Sequence, residues 1–483
     1  GRVGLALALA FGGLAAGAGY WQVFRSADLS QSPEDAAVIA ASRQVVRGVI
    51  TDRDGKVLAS NKRDKNGEPY RVYADPSLSE VIGYSSQQFG TSGLERAWNA
   101  QLSGVVSSDP LFDLTRKFRA DPSDPQSLKT TLVLSLQEAA VRVLGDNTGA
   151  VVMLDPRNGE ILAMASTPDF DPNAVANPAT ASATMAKLSQ DSSLPLLPRA
   201  TYGRYVPGSI FKIVTATAAL GSGAITPATT YKQQPAAEKT GLLVSGFRVH
   251  DGHHAATGST ALAFDEAVEV SCNIYFALTG LKTGGAQLAE WADKFGFGKP
   301  LPFDLPTQAS QVTSGGGSFG GGFADDVELA NAAYGQGETL VTPLQMALVA
   351  ATVANGGAEM TPHLVLSATG KSGTTTIAPS LFQQVMTPGV ASEIADAMRL
   401  AVNGGLGQQY TFGAKVPGLV VAGKSGTAEL DPGNDPHSWF IGFAPFDNPQ
   451  VAIAVLVEHG GHTTRASPLA GQLLRAWRDW ANG

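Results

Sequence analysis

Ser209-Ile210-Phe211-Lys212-Ile213-Val214-Thr215-Ala216-Thr217-Ala218-Ala219-Leu220 is an almost wholly apolar run with a hydroxyl and an amine at its start. Residues three apart share one face of a helix, so the Ser209 hydroxyl and the Lys212 amine are placed within reach of each other. Pro207-Gly208 sets a tight turn before them and puts Ser209 at the positive end of the helix dipole, where alkoxide charge is favoured. Ser271-Cys272-Asn273 follows downstream, and Lys424-Ser425-Gly426-Thr427 further on. Each pattern alone arises by chance in a chain of this length; their occurrence together, in this order, carries the information.

Composition bounds what such a site could serve. The 483 residues suffice for roughly three domain-sized units. A formal charge of -8 leaves no basic stripe for nucleic acid, and 7 scattered histidines do not suggest a metal protein. The single cysteine excludes disulfides within the chain. Val3 to Trp21 is free of charge, long enough as a helix to cross about 30 Å of hydrocarbon, and ends in Tyr20 and Trp21, which suit a membrane interface. It reads as a retained anchor with Arg2 on the cytoplasmic side; Ala16-Gly17-Ala18 keeps a cleaved signal peptide as the competing reading.

Moving outward from the Ser209 run, Ala150-Val151-Val152-Met153-Leu154 and Ile161-Leu162-Ala163-Met164-Ala165 are buried-strand runs around the turn Asp155 to Glu160. Further strands are expected at Leu419 to Thr427, Ser438 to Phe443 and Val451 to Glu458, with a closing helix from Ala470 to Trp480. A sheet drawn from both ends of a unit whose middle is helical is α+β. Thr342-Pro343-Leu344-Gln345 predicts a capping box with proline at the first helical position. Towards the N-terminus, Asp54-Gly55 predicts a hairpin between two short strands, and Asp121 to Pro125 reads as a linker.

The order SxxK, SxN, KSG resembles the penicillin-binding proteins. Arg199-Ala200 and Tyr205-Val206-Pro207-Gly208-Ser209-Ile210-Phe211-Lys212 extend the likeness to that family's RAxxxxYxPGSTFK block, with Ile210 in place of threonine. Lys424-Ser425-Gly426-Thr427-Ala428-Glu429 is similar to its KTGTAE form, with serine in place of threonine. Arg47 to Ala59 looks like the RGxIxDRxGxxLA signature of class B members, and the short N-terminal region is most similar to the actinobacterial ones. Gly335-Gln336-Gly337 and the helix after it resemble a GQG and TPLQMA run, read as support for the cleft. The likeness spans nearly the whole chain. It implies an α+β transpeptidase domain (146–483), an antiparallel sheet with helices packed on it, after a transmembrane helix (1–24) and a small β-rich pedestal (25–145).

The resemblance also implies roles. Ser209 is the acylated nucleophile and Lys212 its base, made neutral by apolar surroundings and by repulsion from Lys424. Ser271 relays protons, Asn273 orients Lys212 and the substrate carbonyl, and Lys424, Ser425 and Thr427 attract a terminal carboxylate. The N–H groups of Ser209 and Thr427 form the oxyanion hole. Gly426 is expected to leave one face of an edge strand open for the substrate peptide. The implied reaction is peptidoglycan D,D-transpeptidation, with loss of the terminal D-Ala and trapping by β-lactams; the alternative is a D,D-carboxypeptidase or a β-lactam-hydrolysing or sensing relative. Implied partners are stem peptides on lipid II-derived glycan, β-lactams and a SEDS-type glycosyltransferase of the RodA or FtsW kind, since little chain separates anchor from catalytic unit. The implied place is the cell membrane, single-pass, with the catalytic unit outside the cytoplasm.

Other patterns carry less. Gly418 to Ser425 satisfies GxxxxGK[ST], but an apolar strand lies between its glycines and no helix follows, so neither a phosphate loop nor any other cofactor site is read. His250, Asp251, His253 and His254 match no zinc spacing and read as a polar loop. Cys272 reads as a small buried filler. The run Gly315 to Gly322 reads as a mobile loop, His437 as structural, and Glu429 as the partner of a nearby cation.

Overall fold

The computed structural model describes residues 46–104, 124–251, 260–313, 315, 322–407, 409–461 and 463–483. The expected anchor at 1–24, residues 121–123 of the linker, His253, His254 and most of the glycine run lie outside these residues. Among the described residues no helix is long and apolar enough to cross a membrane.

Two runs near residue 150 and three beyond residue 420 form one five-stranded antiparallel sheet. Its order is Ala422–Ala428, His437–Ala444, Val451–Val457, Gly149–Leu154 and Ile161–Thr167. Early and late chain meet in mid-sheet, where Val151 pairs with Val455. Strand side chains alternate between faces. Val152, Leu154, Ile441, Ala454 and Leu456 therefore enter one core with the helices Lys212–Gly221 and Pro343–Ala354. Val151, Met153, Phe440, Ile453 and Val455 enter another with the helices Leu134–Leu144 and Ala466–Ala481. Burial on both faces explains why these strands read as unbroken apolar runs. It also leaves Ala422–Ala428 at the sheet edge, beside the Ser209 turn.

The second sheet departs from sequence order. Its six strands run Gly373–Thr376, Val365–Gly370, Ser127–Thr130, Ile50–Thr51, Val57–Arg63 and Pro69–Tyr73. Two strands from the 146–483 segment thus complete the sheet begun by the 25–145 segment, while Leu134–Leu144, counted with the pedestal, packs on the catalytic sheet. The expected Asp54-Gly55 hairpin is present: Gly55 has φ +89°, and Asp52 Oδ1 accepts from the N–H groups of Asp54 and Lys56. Beneath this sheet Glu95, fully buried, accepts from Arg47 Nε at 2.7 Å and from Arg71 Nε at 2.5 Å.

The helix at Pro343 is capped by half of the expected device. Thr342 Oγ1 accepts from Gln345 N–H at 3.2 Å, but the Gln345 amide turns away and donates to Phe295 O. A buried carbonyl without a local partner holds that side chain more strongly than the cap backbone, whose N–H goes to Ser310 Oγ.

Candidate active site

Gly208 makes the nucleophile turn possible. It has φ +57°, a region that side chains rarely adopt, and a Cβ there would stand 2.5 Å from Thr427 O. Its N–H donates to Gly335 O at 2.8 Å, and a Cβ on Gly335 would collide with Gly208 O in turn. Three backbones therefore meet where only hydrogen fits. Gly208–Phe211 forms a 3₁₀ turn, and the α-helix starts at Lys212 rather than at Ser209 as expected. Side chains i and i+3 eclipse in a 3₁₀ turn, so Ser209 and Lys212 still stack on one face. Ile210, Phe211, Ile213 and Val214 are fully buried and fix the turn to the core. Ser209 stays partly exposed in the cleft, and among the described residues its hydroxyl has no hydrogen-bond partner.

Lys212 is wholly buried. Its Nζ donates to Asn273 Oδ1 at 2.7 Å, to Ser271 O at 2.5 Å and, at 3.3 Å, to Ser271 Oγ. The Ser271 carbonyl reaches it because Ser271 has φ +62°, an uncommon conformation for a side-chain-bearing residue. Lys424, 1% exposed, donates to the same Ser271 Oγ at 2.8 Å and to Ser425 O at 3.0 Å. One hydroxyl thus links two buried amines. Burial pulls Lys212 down to about 8, against the opposing pull of Asp251 and Cys272. Burial, and then the Lys212 charge, hold Lys424 well below the usual lysine range. The expected repulsion therefore falls on Lys424, and Lys212 owes its lowered value to desolvation.

Above the two lysines lies a cleft of about 1350 Å³ lined by Ser209, Ser271, Asn273, Ser425, Gly426 and Thr427. All eight residues singled out by motif therefore meet at one place. Gly426 corrects the expectation of an open strand face. A Cβ there would lie 2.9 Å from Pro207 O and 3.1 Å from Ile210 Cγ2, so the missing side chain admits the nucleophile turn. What stays available is the outer edge of Ala422–Ala428, with Thr427 exposed and Ser425 half-exposed on the opposite face from Lys424.

Further residues beyond those eight build and brace the walls. Asn273 Nδ2 donates to His250 O at 3.2 Å, and Asp251 Oδ2 accepts from Ile274 N–H at 3.2 Å. Gln336, with its amide turned to satisfy both groups, brackets the Glu429 N–H and C=O at 3.0 and 3.2 Å. Glu429 itself is exposed on the cleft and, among the described residues, forms no ion pair, which corrects its expected pairing. Tyr205 Oη and Arg199 Nε both donate to Glu458 Oε1, and Trp439 Nε1 donates to Val206 O at 3.0 Å, bracing the segment before the turn. His437 is buried in that brace, accepting from His459 N–H, and burial holds it down at about 4. Cys272 is buried and accepts from Tyr275 N–H, so it caps the helix Asn273–Thr283 besides filling space. No helix follows Lys424-Ser425, as the rejection of a phosphate loop required. Glu238, Asp251 and Cys272 bring one carboxylate or thiol atom each within 4.8 Å of one another.

Comparison with known proteins agrees with this geometry. The penicillin binding protein transpeptidase domain matches residues 149–477, and the penicillin binding protein A dimerisation domain matches 47–120. The chain is 36% identical to the peptidoglycan D,D-transpeptidase PbpA of Mycolicibacterium smegmatis, covering 96% of this chain and 94% of that one. It is 34% identical to PbpA of Mycobacterium tuberculosis, over 92% and 90%. The solved penicillin G acyl-enzyme complex of M. tuberculosis penicillin-binding protein A superposes with a TM-score of 0.77 at 31% identity, covering 91% of this chain and 100% of that one. With a family match over more than half its length, a shared fold and the three motifs gathered in one cleft, the chain belongs to the penicillin-binding protein transpeptidases.

Proposed function

We infer that this protein is a peptidoglycan D,D-transpeptidase that works through a Ser209 acyl-enzyme. The observation that carries the reading is the Ser271 hydroxyl shared by two buried lysines in the same cleft as a Ser209 hydroxyl that has no partner among the described residues. Neutral Lys212 takes the Ser209 proton as Oγ bonds to the carbonyl carbon of the penultimate D-Ala. The oxyanion faces the N–H groups of Ser209 and Thr427. On collapse the C–N bond breaks, and D-Ala leaves as an amine that takes the proton back from Lys212 through Ser271. The amine of a second stem peptide then attacks the ester, gives up a proton by the same route, and restores Ser209. The outer edge of Ala422–Ala428 takes the donor peptide as an added strand, while Ser425 and Thr427 meet its terminal carboxylate and Lys424 lies behind them on the buried face.

A single-pass membrane anchor at 1–24, with the catalytic unit outside the cytoplasm, follows from the apolar run Val3 to Trp21 and from the substrate's location. A SEDS-type glycosyltransferase of the RodA or FtsW kind fits as partner, with the pedestal and anchor as contact surface. Intact-mass spectrometry after exposure to penicillin tests the chemistry: one adduct should form on the wild type and map to Ser209, and Ser209→Ala should form none. An adduct retained by Ser209→Ala overturns the reading. Copurification of a polymerase unchanged by deletion of 1–140 overturns the contact surface.

A further inference from the structure

Upstream of the SxN motif the chain passes alongside the cleft, and there His250 and Asp251 touch the motif twice. The His250 carbonyl takes Asn273 Nδ2, which leaves Asn273 Oδ1 turned to Lys212. Asp251 Oδ2 takes the N–H of the next residue, Ile274. We propose that Asp251 is a positioning residue for acylation, holding the start of the Asn273 helix so that Asn273 stays on Lys212 and supplying one negative charge to two buried lysines.

Charge counting supports the second half. Lys212 and Lys424 both reach Ser271 Oγ, so two ammoniums there would stand close together in a region cut off from water. One carboxylate balances one of them, leaving the other amine free to be neutral. Among the described residues the groups that act on or are acted on by Asp251 are Lys212, Lys424, Cys272, Tyr334 and Tyr410, with Glu238 in the same cluster. Asp251 pulls upward on both lysines, against the lowering caused by burial. The acidic neighbour Glu238 accepts from Gln234 and from the Cys272 thiol, and it is not among the charges that act on either lysine. The inference rests on Lys212 being the base.

Asparagine at 251 still accepts from Ile274 N–H and removes only the charge, whereas alanine removes both. Acylation of the full chain by a fluorescent penicillin, followed between about pH 6 and 10, separates the two contributions. In Asp251→Asn the acid limb of the rate should move down by about one pH unit, because Lys212 loses an opposite charge that favours its protonated form. In Asp251→Ala the limb should move likewise and the plateau should fall at least about tenfold. An unmoved limb in Asp251→Asn overturns the proposal, and so does slower labelling accompanied only by a lower melting temperature. A second readout needs no turnover: the side-chain NMR titration of isotope-labelled lysines, with Lys212 assigned by its loss in Lys212→Arg. Its midpoint should fall in Asp251→Asn. If the wild type takes no penicillin, the transpeptidase reading fails, and this titration still decides the role of Asp251.

Discussion

Lys212 is where the chemistry is most sensitive to a single group. Its amine must be neutral to accept the Ser209 proton, and burial brings it to about 8 from the ordinary lysine value. Because the neutral form lies above that value, acylation should rise with pH through about 8 and level off beyond it; stopped-flow acylation across a pH series checks this. Lys212→Ala should slow acylation by about a thousandfold with the fold intact, and a near-normal rate would remove Lys212 from the base role. The residue types were readable from the sequence because the reaction restricts them: a nucleophile, an amine three residues on, an amide and a second amine. Three features were not readable. The left-handed backbone of Ser271 comes from the cap of the helix Phe264–Glu269, where Cys272 N–H donates to Ala267 O, whereas the grip of His250 on Asn273 and the shared hydroxyl between the lysines depend on segments distant in sequence meeting in space.

At the scale of elements, catalysis rests on a strand lying against a turn at glycine distance. Gly426→Ala places a methyl within 2.9 Å of Pro207 O, so the edge strand must move away from the nucleophile turn. Overpacking of this kind costs about 1–3 kcal/mol, and it should separate Thr427 N–H from Ser209 N–H. Acylation should therefore fall more steeply than the melting temperature. Gly55→Ala is the matched control: its φ of +89° makes alanine strained, but the added methyl meets nothing and lies far from the cleft, so stability should drop by roughly 1 kcal/mol with acylation unchanged. Strands buried on both faces announced themselves as apolar runs, and the five of the central sheet stand within a few residues of their expected places. Contacts between elements were harder to read. A glycine marks a close approach but does not say what approaches: Gly426 lines the cleft, yet the face its missing side chain leaves is taken by Pro207 and Ile210.

Over the whole molecule, one buried carboxylate ties the N-terminal sheet together. Glu95 accepts from Arg47 and Arg71 with no exposure of its own side chain. Glu95→Ala should cost about 3–5 kcal/mol by leaving two guanidiniums without their anion, seen as a lower denaturant midpoint; Ser209 acylation measured below that midpoint should change little. Unchanged denaturation would show that water replaces the carboxylate. The alternation of the catalytic unit, strands at both ends and helices between, was visible in the pattern of apolar residues. The composition of the six-stranded sheet was not, because Val365–Gly370 pairs with Ser127–Thr130 across more than two hundred intervening residues. That pairing has a consequence for biogenesis. As the polypeptide is made, the Ser127–Thr130 edge emerges long before its neighbour exists, and at about 5–20 residues per second it waits roughly ten to fifty seconds for it. During that interval one edge of the strand, the one not held by Ile50–Thr51, is available to chaperones, or to another nascent copy, so the ribosome's pace sets how long this edge is at risk of aggregation.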